Sequence, residues 1–248
     1  MLNGLIPQWP APAKVRAFST FRTGGHSVAP WDSFNLALHV GDTPEVVAQN
    51  RALLHTALAL TAEPAWLMQV HGNVVIQAED YQGVVDADAS IAFQPTHPCI
   101  VMTADCLPVL LTDTKGSFVA ALHCGWRSLQ ALIIQKTIEQ AQTKGVNPKD
   151  ILAWLGPAIG PTAFEVGPEV PQAFLAQEPY LREAFIPAAV PHKWHADLYA
   201  IARLQLNNLG VTQVFGGGHC TYTDSEHFFS YRRNATTGRM ATLIWLTS

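Results

Sequence analysis

The sequence has few charged residues and no long apolar run. Charged side chains make up 14% of the 248 residues, and the 15 Lys and Arg residues are scattered among 19 Asp and Glu residues. No basic tract of the kind that binds nucleic acid or an anionic membrane surface is present. No stretch reaches the roughly 18 apolar residues of a membrane-spanning helix. We therefore expect neither nucleic acid nor a membrane among the partners.

Cysteine is also scarce, and the first residues lack the pattern of a secretory signal. Residues 1–12 contain three prolines and no continuous apolar segment. Four cysteines in such a chain favour reduced thiols over a disulfide framework, which predicts a cytoplasmic protein. The 48% hydrophobic content is sufficient for one large core and predicts a single domain over residues 1–248.

Short apolar runs alternate with amphipathic segments, which predicts an α/β (α+β) fold. The runs at 99–103, 107–112 and 118–122 are typical of central strands. Helices are predicted at 44–60, at 129–144 with Ser128 as its N-cap, and at 197–209. The segments 65–70 and 74–77 predict a strand pair around residues 71–73, and 86–89 predicts a loop.

Three motifs stand out because each follows an apolar run and carries a side chain that can bind a transition metal. They are QVHG at 69–72, TADCLP at 103–108 and LHCGWR at 122–127. His71, Cys106 and His123 provide two imidazoles and one thiolate, the number of protein ligands in a catalytic zinc site with one open position. The residues alone leave another interpretation open, in which two hydrogen-bonded histidines and a packed thiol are buried without a metal.

These motifs resemble those of the YfiH family, also called laccase-domain (multicopper polyphenol oxidase-like) proteins or peptidoglycan editing factors. Further matching strings are FSTFRTGG at 18–25, DAD at 86–88, GPAIG at 156–160 and FSYRR at 229–233. The resemblance implies a three-layer α/β/α arrangement around a mixed sheet, distantly like cysteine-hydrolase toxins. It also implies that His71, Cys106 and His123 bind zinc. Cys124 and Ser128 depart from the family pattern beside this site.

The resemblance further implies a zinc-dependent purine nucleoside phosphorylase with adenosine deaminase and methylthioadenosine phosphorylase activity. Its partners would be a small-molecule nucleoside and phosphate. Zinc is favoured over copper because a mixed nitrogen and sulfur ligand set suits zinc, and no second copper cluster is evident. Deamination at a zinc site requires a carboxylate to transfer protons, and Asp105, beside Cys106, is the predicted catalytic residue. A turn-capping role for Asp105 is the alternative.

Phosphorolysis requires a cation for phosphate, and arginine suits it because its guanidinium donates two parallel hydrogen bonds. Arg22, beside Gly24, is the first candidate, Arg127 the second catalytic candidate, and Arg232 a substrate-binding candidate. Asn35 and Gln69 are predicted to bind a base or ribose edge through their amides. Structural ion pairs and interior amide bonds are the alternatives for these residues.

Two other functions compete with the nucleoside enzyme. In the first, the chain is a cysteine hydrolase or amidase acting on a cell-wall precursor, with Cys106 as nucleophile and His123 as base. In the second, it is a non-catalytic metal-binding module. Metal analysis distinguishes the two enzymes, because a thiolate bound to zinc is not free to attack a carbonyl.

Overall fold

Two β-sheets packed face to face form the centre of the computed structural model, which describes residues 2–247. The strands are Gly4–Leu5 (β1), Val15–Thr20 (β2), Leu67–Met68 (β3), Val75–Gln77 (β4), Val85–Asp86 (β5), Ala89–Ala92 (β6), Cys99–Thr103 (β7), Leu107–Asp113 (β8), Val119–Cys124 (β9), Ile151–Leu155 (β10), Glu165–Val166 (β11), Phe185–Pro187 (β12), Trp194–Ala196 (β13), Gln213–Gly216 (β14) and Met240–Leu246 (β15). The α-helices are Pro44–Ala57 (α1), Trp126–Gln130 (α2), Ile133–Gln142 (α3), Glu169–Gln177 (α4) and Leu198–Asn208 (α5). Short 3₁₀ turns cover Leu38–Val40, Ala78–Asp80, Pro148–Asp150, Pro161–Ala163 and Pro179–Ala184.

The two large sheets differ in strand direction. The first sheet has the order β1-β2-β15-β7, and all its neighbours are antiparallel. The second has the order β14-β10-β8-β9-β6-β4 and is mixed, because β10 and β14, and also β4 and β6, run parallel. Two small sheets, β11-β13-β12 and β3-β5, complete the pairing. The mixed α/β fold expected from the sequence is therefore present.

The core has four layers, since each sheet is apolar on both faces. Side chains alternate along β8, so Val109 packs toward the helices of the second sheet whereas Leu110 packs toward the first sheet. Along β15, Ile244 faces the second sheet and Leu243 faces α1, where it shares a cluster with Leu54. The order is α1, first sheet, second sheet, and then the remaining helices. The three-layer arrangement around one sheet, which the family resemblance implied, differs from this structure because the strands divide between two large sheets.

One predicted helix is broken in two. The segment predicted as 129–144 begins earlier, at Trp126, and Gly125 rather than Ser128 occupies the N-cap position. It is interrupted at Leu132, whose φ of 63° is left-handed and cannot continue a right-handed helix. The prediction at 197–209 is confirmed as α5, where the Asp197 side chain accepts a hydrogen bond from the backbone N–H of Ala200. The first helix is present and ends at Ala57 rather than residue 60.

The expected strand pair around residues 71–73 does not form. β3 pairs with β5 and β4 pairs with β6, so the two segments enter different sheets. The segment 86–89, expected to be a loop, supplies the last residue of β5 and the first of β6. No helix within residues 2–247 combines the length and apolar character that a bilayer crossing needs.

Candidate active site

His71, Cys106 and His123 converge from three separate segments of the fold. His71 follows β3, Cys106 lies at the crossing from β7 to β8, and His123 lies within β9. Their potential ligand atoms all lie within 4.8 Å of one another, and the Cys106 Sγ atom is 3.8 Å from His71 Nε2. The two imidazole rings meet edge to face, with centroids 4.8 Å apart. The structure therefore brings together the three residues predicted to bind a metal.

A buried carboxylate, that of Asp88, fixes both histidines. Asp88 accepts a hydrogen bond from His123 Nδ1 at 2.8 Å. It also accepts the backbone N–H groups of Val70, His71 and Gly72, at 3.3, 3.0 and 2.6 Å. Because Nδ1 of His123 is engaged, its Nε2 atom is left to bind a metal, as in the usual carboxylate–histidine–metal arrangement. The sequence analysis noted the DAD string but assigned no role to this residue.

Gly125 allows the three side chains to approach each other. A Cβ atom at this position would lie 3.0 Å from His71 Cδ2 and 3.1 Å from Cys106 Sγ. The backbone φ of −65° suits any residue, so the conformation does not call for glycine. Glycine matters here because a side chain would crowd His71 and Cys106. The two imidazoles, the thiolate and this tight backbone fit a zinc ion, for which nitrogen and sulfur ligands are the preferred set.

The three side chains also shift one another's ionisation. Burial raises the pKa of the Cys106 thiol, but His123 and His71 outweigh this effect and lower it below its ordinary value. Burial lowers the pKa of His123, but the Cys106 thiolate and Asp88 outweigh it and raise the value. The neighbouring Cys124 differs, because burial raises its pKa and keeps it a neutral thiol. Cys106 is therefore the cysteine of this region suited to act as a thiolate ligand or nucleophile.

His71, Cys106 and His123 line a cleft of about 420 Å³, which is within the size range of small-molecule sites. Its apolar lining includes Trp126, Ile159, Phe164 and Tyr231. Its cationic lining consists of Arg127, Arg232 and Arg239. Among the described residues, Asp105 is the one carboxylate that lines the cleft. The cleft thus combines a candidate metal group, apolar walls and a surplus of positive charge.

Asp105 lies on this cleft with both carboxylate oxygens engaged. One oxygen accepts the Thr221 hydroxyl at 2.7 Å and the other accepts the backbone N–H of Arg232, also at 2.7 Å. Its backbone has a φ of 95°, a conformation rare outside glycine. These bonds join the Cys106 loop to the segments at 221 and 232. They match the turn-capping alternative and also fix where each oxygen points.

Gln69 lines the cleft but uses its amide inside the protein. Its Nε2 atom donates to the Met102 carbonyl and its Oε1 atom accepts the Met102 N–H, both at 2.7 Å. The Gln69 amide thus pairs with the backbone of Met102 in β7 as the peptide group of an adjacent strand would. With both amide atoms bonded to Met102, binding a base edge would require Gln69 to give up one of these bonds.

Arg22 and Asn35, both predicted to bind substrate, lie outside the cleft lining. Arg22 forms an ion pair with Asp32 at 3.0 Å and donates to the Ser225 carbonyl. Asn35 is fully buried, and its amide bonds to backbone groups of Ala37 and to the Asp42 carboxylate. Both side chains are engaged by partners within the protein, which matches the structural roles that the sequence left open as alternatives.

The other two predicted arginines do line the cleft. The Arg127 guanidinium lies over the Trp126 ring, 4.3 Å from its centroid. The Arg232 guanidinium donates to the carbonyls of Ala163 and Glu165 and lies over Phe164. Neither forms an ion pair with a carboxylate within residues 2–247.

Two ionisable cleft residues were not assigned to the site by the sequence analysis. His39 lies in the 3₁₀ turn Leu38–Val40, and Arg239 immediately precedes β15. Neither belongs to the strings that carried the family resemblance, and neither has a chemically distinctive neighbour. Only the fold, which brings residues 35–40 beside residues 237–240, reveals them.

The fold and this site define a mixed α/β protein with a His–Cys–His candidate metal centre in a cationic cleft. A family profile described as "Multi-copper polyphenol oxidoreductase laccase" matches residues 16–247, and the chain belongs to that family, which is the YfiH family that its motifs resemble.

Named relatives and solved structures match nearly the whole chain. "Purine nucleoside phosphorylase PA4543" of Pseudomonas aeruginosa is 50% identical over 242 residues, 98% of each chain. "Purine nucleoside phosphorylase YfiH" of Escherichia coli K12 is 51% identical over 244 residues, again 98% of each chain. The crystal structure of Neisseria meningitidis protein NMB0706 is 46% identical, with a TM-score of 0.95 over 99% of this chain and 100% of that one.

Proposed function

We propose that this protein is a zinc-dependent purine nucleoside phosphorylase that also deaminates adenosine and cleaves methylthioadenosine. The main observation behind the proposal is that a His–Cys–His group and three arginines line the same cleft. The relatives named purine nucleoside phosphorylase, at about half identity over nearly all of the chain, support the same substrate class.

Within this proposal, His71, Cys106 and His123 would hold zinc. A zinc ion in such a site acts as a Lewis acid and lowers the pKa of bound water to about 7. Asp88 orients His123, and Gly125 leaves room for the ligands to meet. The ligand set favours zinc over copper, since two imidazoles and one thiolate suit zinc's tetrahedral preference.

The proposed phosphorolysis breaks the bond between the ribose C1′ atom and the purine nitrogen while a phosphate oxygen bonds to C1′. The products are the free base and ribose 1-phosphate, and a proton ends on the base. Cationic cleft residues neutralise the phosphate charge, for which arginine is well suited. Tyr231, exposed on the cleft wall, and Trp126 offer ring faces against which a purine can pack.

In the proposed deamination, water replaces the amine of adenosine, giving inosine and ammonia. Protons must be transferred between the incoming water and the leaving amine. Asp105 is the cleft carboxylate available for this transfer, and its bonds to Thr221 and Arg232 set the direction of its oxygens.

Metal analysis of the purified protein, combined with product identification, tests the proposal. We expect zinc in near-equal amount to protein. With adenosine and phosphate we expect adenine and ribose 1-phosphate, together with inosine and ammonia. Cys106→Ser should lose zinc and all of these products together. A zinc-loaded wild-type protein that leaves adenosine, inosine and methylthioadenosine unchanged would contradict the proposal.

A cysteine hydrolase is the second candidate, and one observation favours it. His123 and His71 lower the pKa of Cys106, as they would for an attacking thiolate. Such an enzyme requires a metal-free site. An amidase activity that is highest in zinc-free protein and falls as zinc is added would favour this candidate over the first.

A further inference from the structure

Arg239 is a half-buried cation without an acidic partner. Its Nη1 atom donates to the carbonyls of Thr237 and Gly238, at 2.9 and 3.0 Å. Within residues 2–247, no carboxylate lies within ion-pair distance of its guanidinium. A charge withdrawn from water is costly unless an opposite charge approaches it. Because Arg239 lines the cleft, an anion entering the cleft can supply that charge.

His39 lies beside Arg239 on the same cleft. Burial lowers the pKa of His39, and the positive charges of Arg239 and Arg51 lower it further. The lowered pKa favours the neutral ring, and a neutral imidazole still offers one N–H donor. A buried amide joins the two segments that carry these residues, since Asn35 Oδ1 accepts the backbone N–H groups of both Ala37 and Arg239.

The position of Arg239 distinguishes it from the other cleft arginines. Arg127 and Arg232 are exposed, so water screens their charges. Arg239 is less exposed, and it lines the cleft together with Cys106 and Asp105. A guanidinium shielded from water attracts an anion more strongly than an exposed one does.

We propose that Arg239 and His39 form the orthophosphate-binding subsite of the cleft. The inference rests on the proposed phosphorylase function and assigns its second substrate to residues other than Arg22. Arg239 supplies the charge and its remaining N–H donors, and His39 supplies one neutral N–H. Phosphate bound here lies on the same cleft as His71, Cys106 and His123, where the nucleoside is to be cleaved.

Equilibrium dialysis of zinc-loaded protein against radiolabelled orthophosphate tests the subsite directly. We expect Arg239→Gln to weaken phosphate binding about tenfold or more, as loss of a charge-assisted pair requires. Arg239→Lys should recover part of this loss, because it keeps the charge but not the planar donors. Arg22→Gln and the exposed Arg16→Gln should bind phosphate like the wild type. The KM for phosphate should rise in parallel with the loss of phosphate binding.

The outcomes separate the subsite from the proposed function. Phosphate binding that is unchanged in Arg239→Gln, or lost instead in Arg22→Gln, overturns the subsite. Phosphate binding that depends on Arg239 in a protein without phosphorylase activity supports the subsite and overturns the function. If Arg239→Gln does not fold, as judged by its circular dichroism, phosphate binding by Arg239→Lys and His39→Ala decides. Wild-type affinity in both of these variants overturns the subsite.

Discussion

Asp88 and His123 form a buried hydrogen-bonded pair in which the Asp88 carboxylate accepts from Nδ1 of the imidazole at 2.8 Å. The same carboxylate accepts three consecutive backbone N–H groups around His71. One side chain thus sets the orientation of one candidate ligand and the backbone position of another. The candidate metal group therefore depends on a residue that is not itself one of the candidate ligands.

Asp88→Asn should weaken zinc binding about 10- to 100-fold, the usual cost of losing a residue that orients a ligand. The NH₂ group of the asparagine would face N–H groups that now donate to Asp88, namely those of the backbone at residues 70–72 and of His123 Nδ1. Zinc retained after dialysis against a graded series of chelator concentrations measures the effect. Asp86→Asn, at an exposed position two residues earlier, is the matched control and should retain wild-type affinity. Equal zinc retention in the two variants would refute the orienting role of Asp88.

Gly125→Ala should lower zinc affinity about tenfold while leaving the fold intact. The added methyl group would press on His71 and Cys106, since it would lie at 3.0 and 3.1 Å from their atoms. Gly72→Ala is the comparison, because its added methyl would meet no atom closer than 3.5 Å and the residue keeps its backbone N–H. Zinc titration and the thermal midpoint of the metal-free protein are the measurements. A lower midpoint with unchanged zinc affinity would show that the effect is on packing alone.

Asp105→Asn should reduce adenosine deamination about a hundredfold while zinc content is unchanged, if the carboxylate transfers protons. Thr221→Val tests whether position alone accounts for the loss, because it removes one of the two bonds that orient Asp105. A proton-transfer role predicts a much smaller loss in Thr221→Val than in Asp105→Asn. Equal losses would leave Asp105 as a positioning residue. The measurement is kcat for ammonia release, alongside metal content.

The pKa of His39 should lie below its ordinary value of about 6.5 and respond to Arg239. Burial, Arg239 and Arg51 all disfavour the protonated ring, so folded His39 takes up its proton at lower pH than unfolded His39 does. This histidine's contribution to stability is complete above pH 6.5 and is lost as pH falls through the lower folded value. A ¹H NMR titration should show a higher midpoint in Arg239→Gln, still below 6.5. Arg16→Gln should leave the midpoint unchanged, and an unshifted midpoint in Arg239→Gln would contradict the proximity.

The sequence predicted which three residues converge at the site better than it predicted the residues around them. His71, Cys106 and His123 were predictable because each ends an apolar run in a string typical of one family. Asp88 belongs to such a string, but its role depends on bonds to residues 70–72 and 123, which only tertiary pairing creates. Arg239 and His39 had no local signal, because their proximity comes from a buried amide that joins distant segments.

The fold was predictable in its elements and not in their partners. α5 could be placed because Asp197 caps it and apolar residues recur at helical spacing. The break at Leu132 could not be foreseen, since leucine favours helices and adopts a left-handed conformation here under tertiary constraint. The sheet to which each strand belongs could not be predicted either, because a buried strand is a continuous apolar run in whichever sheet it lies.

Cys106 lies where the chain leaves the first sheet at Thr103 and enters the second at Leu107. An ion bound there by Cys106, by His123 of β9 and by His71 after β3 would tie the crossover between the two large sheets to the second sheet and to the small β3–β5 sheet. Oxidation of this single sulfur would then do more than stop turnover, because it would release three chain segments at once. The expected sign of such damage is faster amide hydrogen exchange at the sandwich edge nearest the cleft.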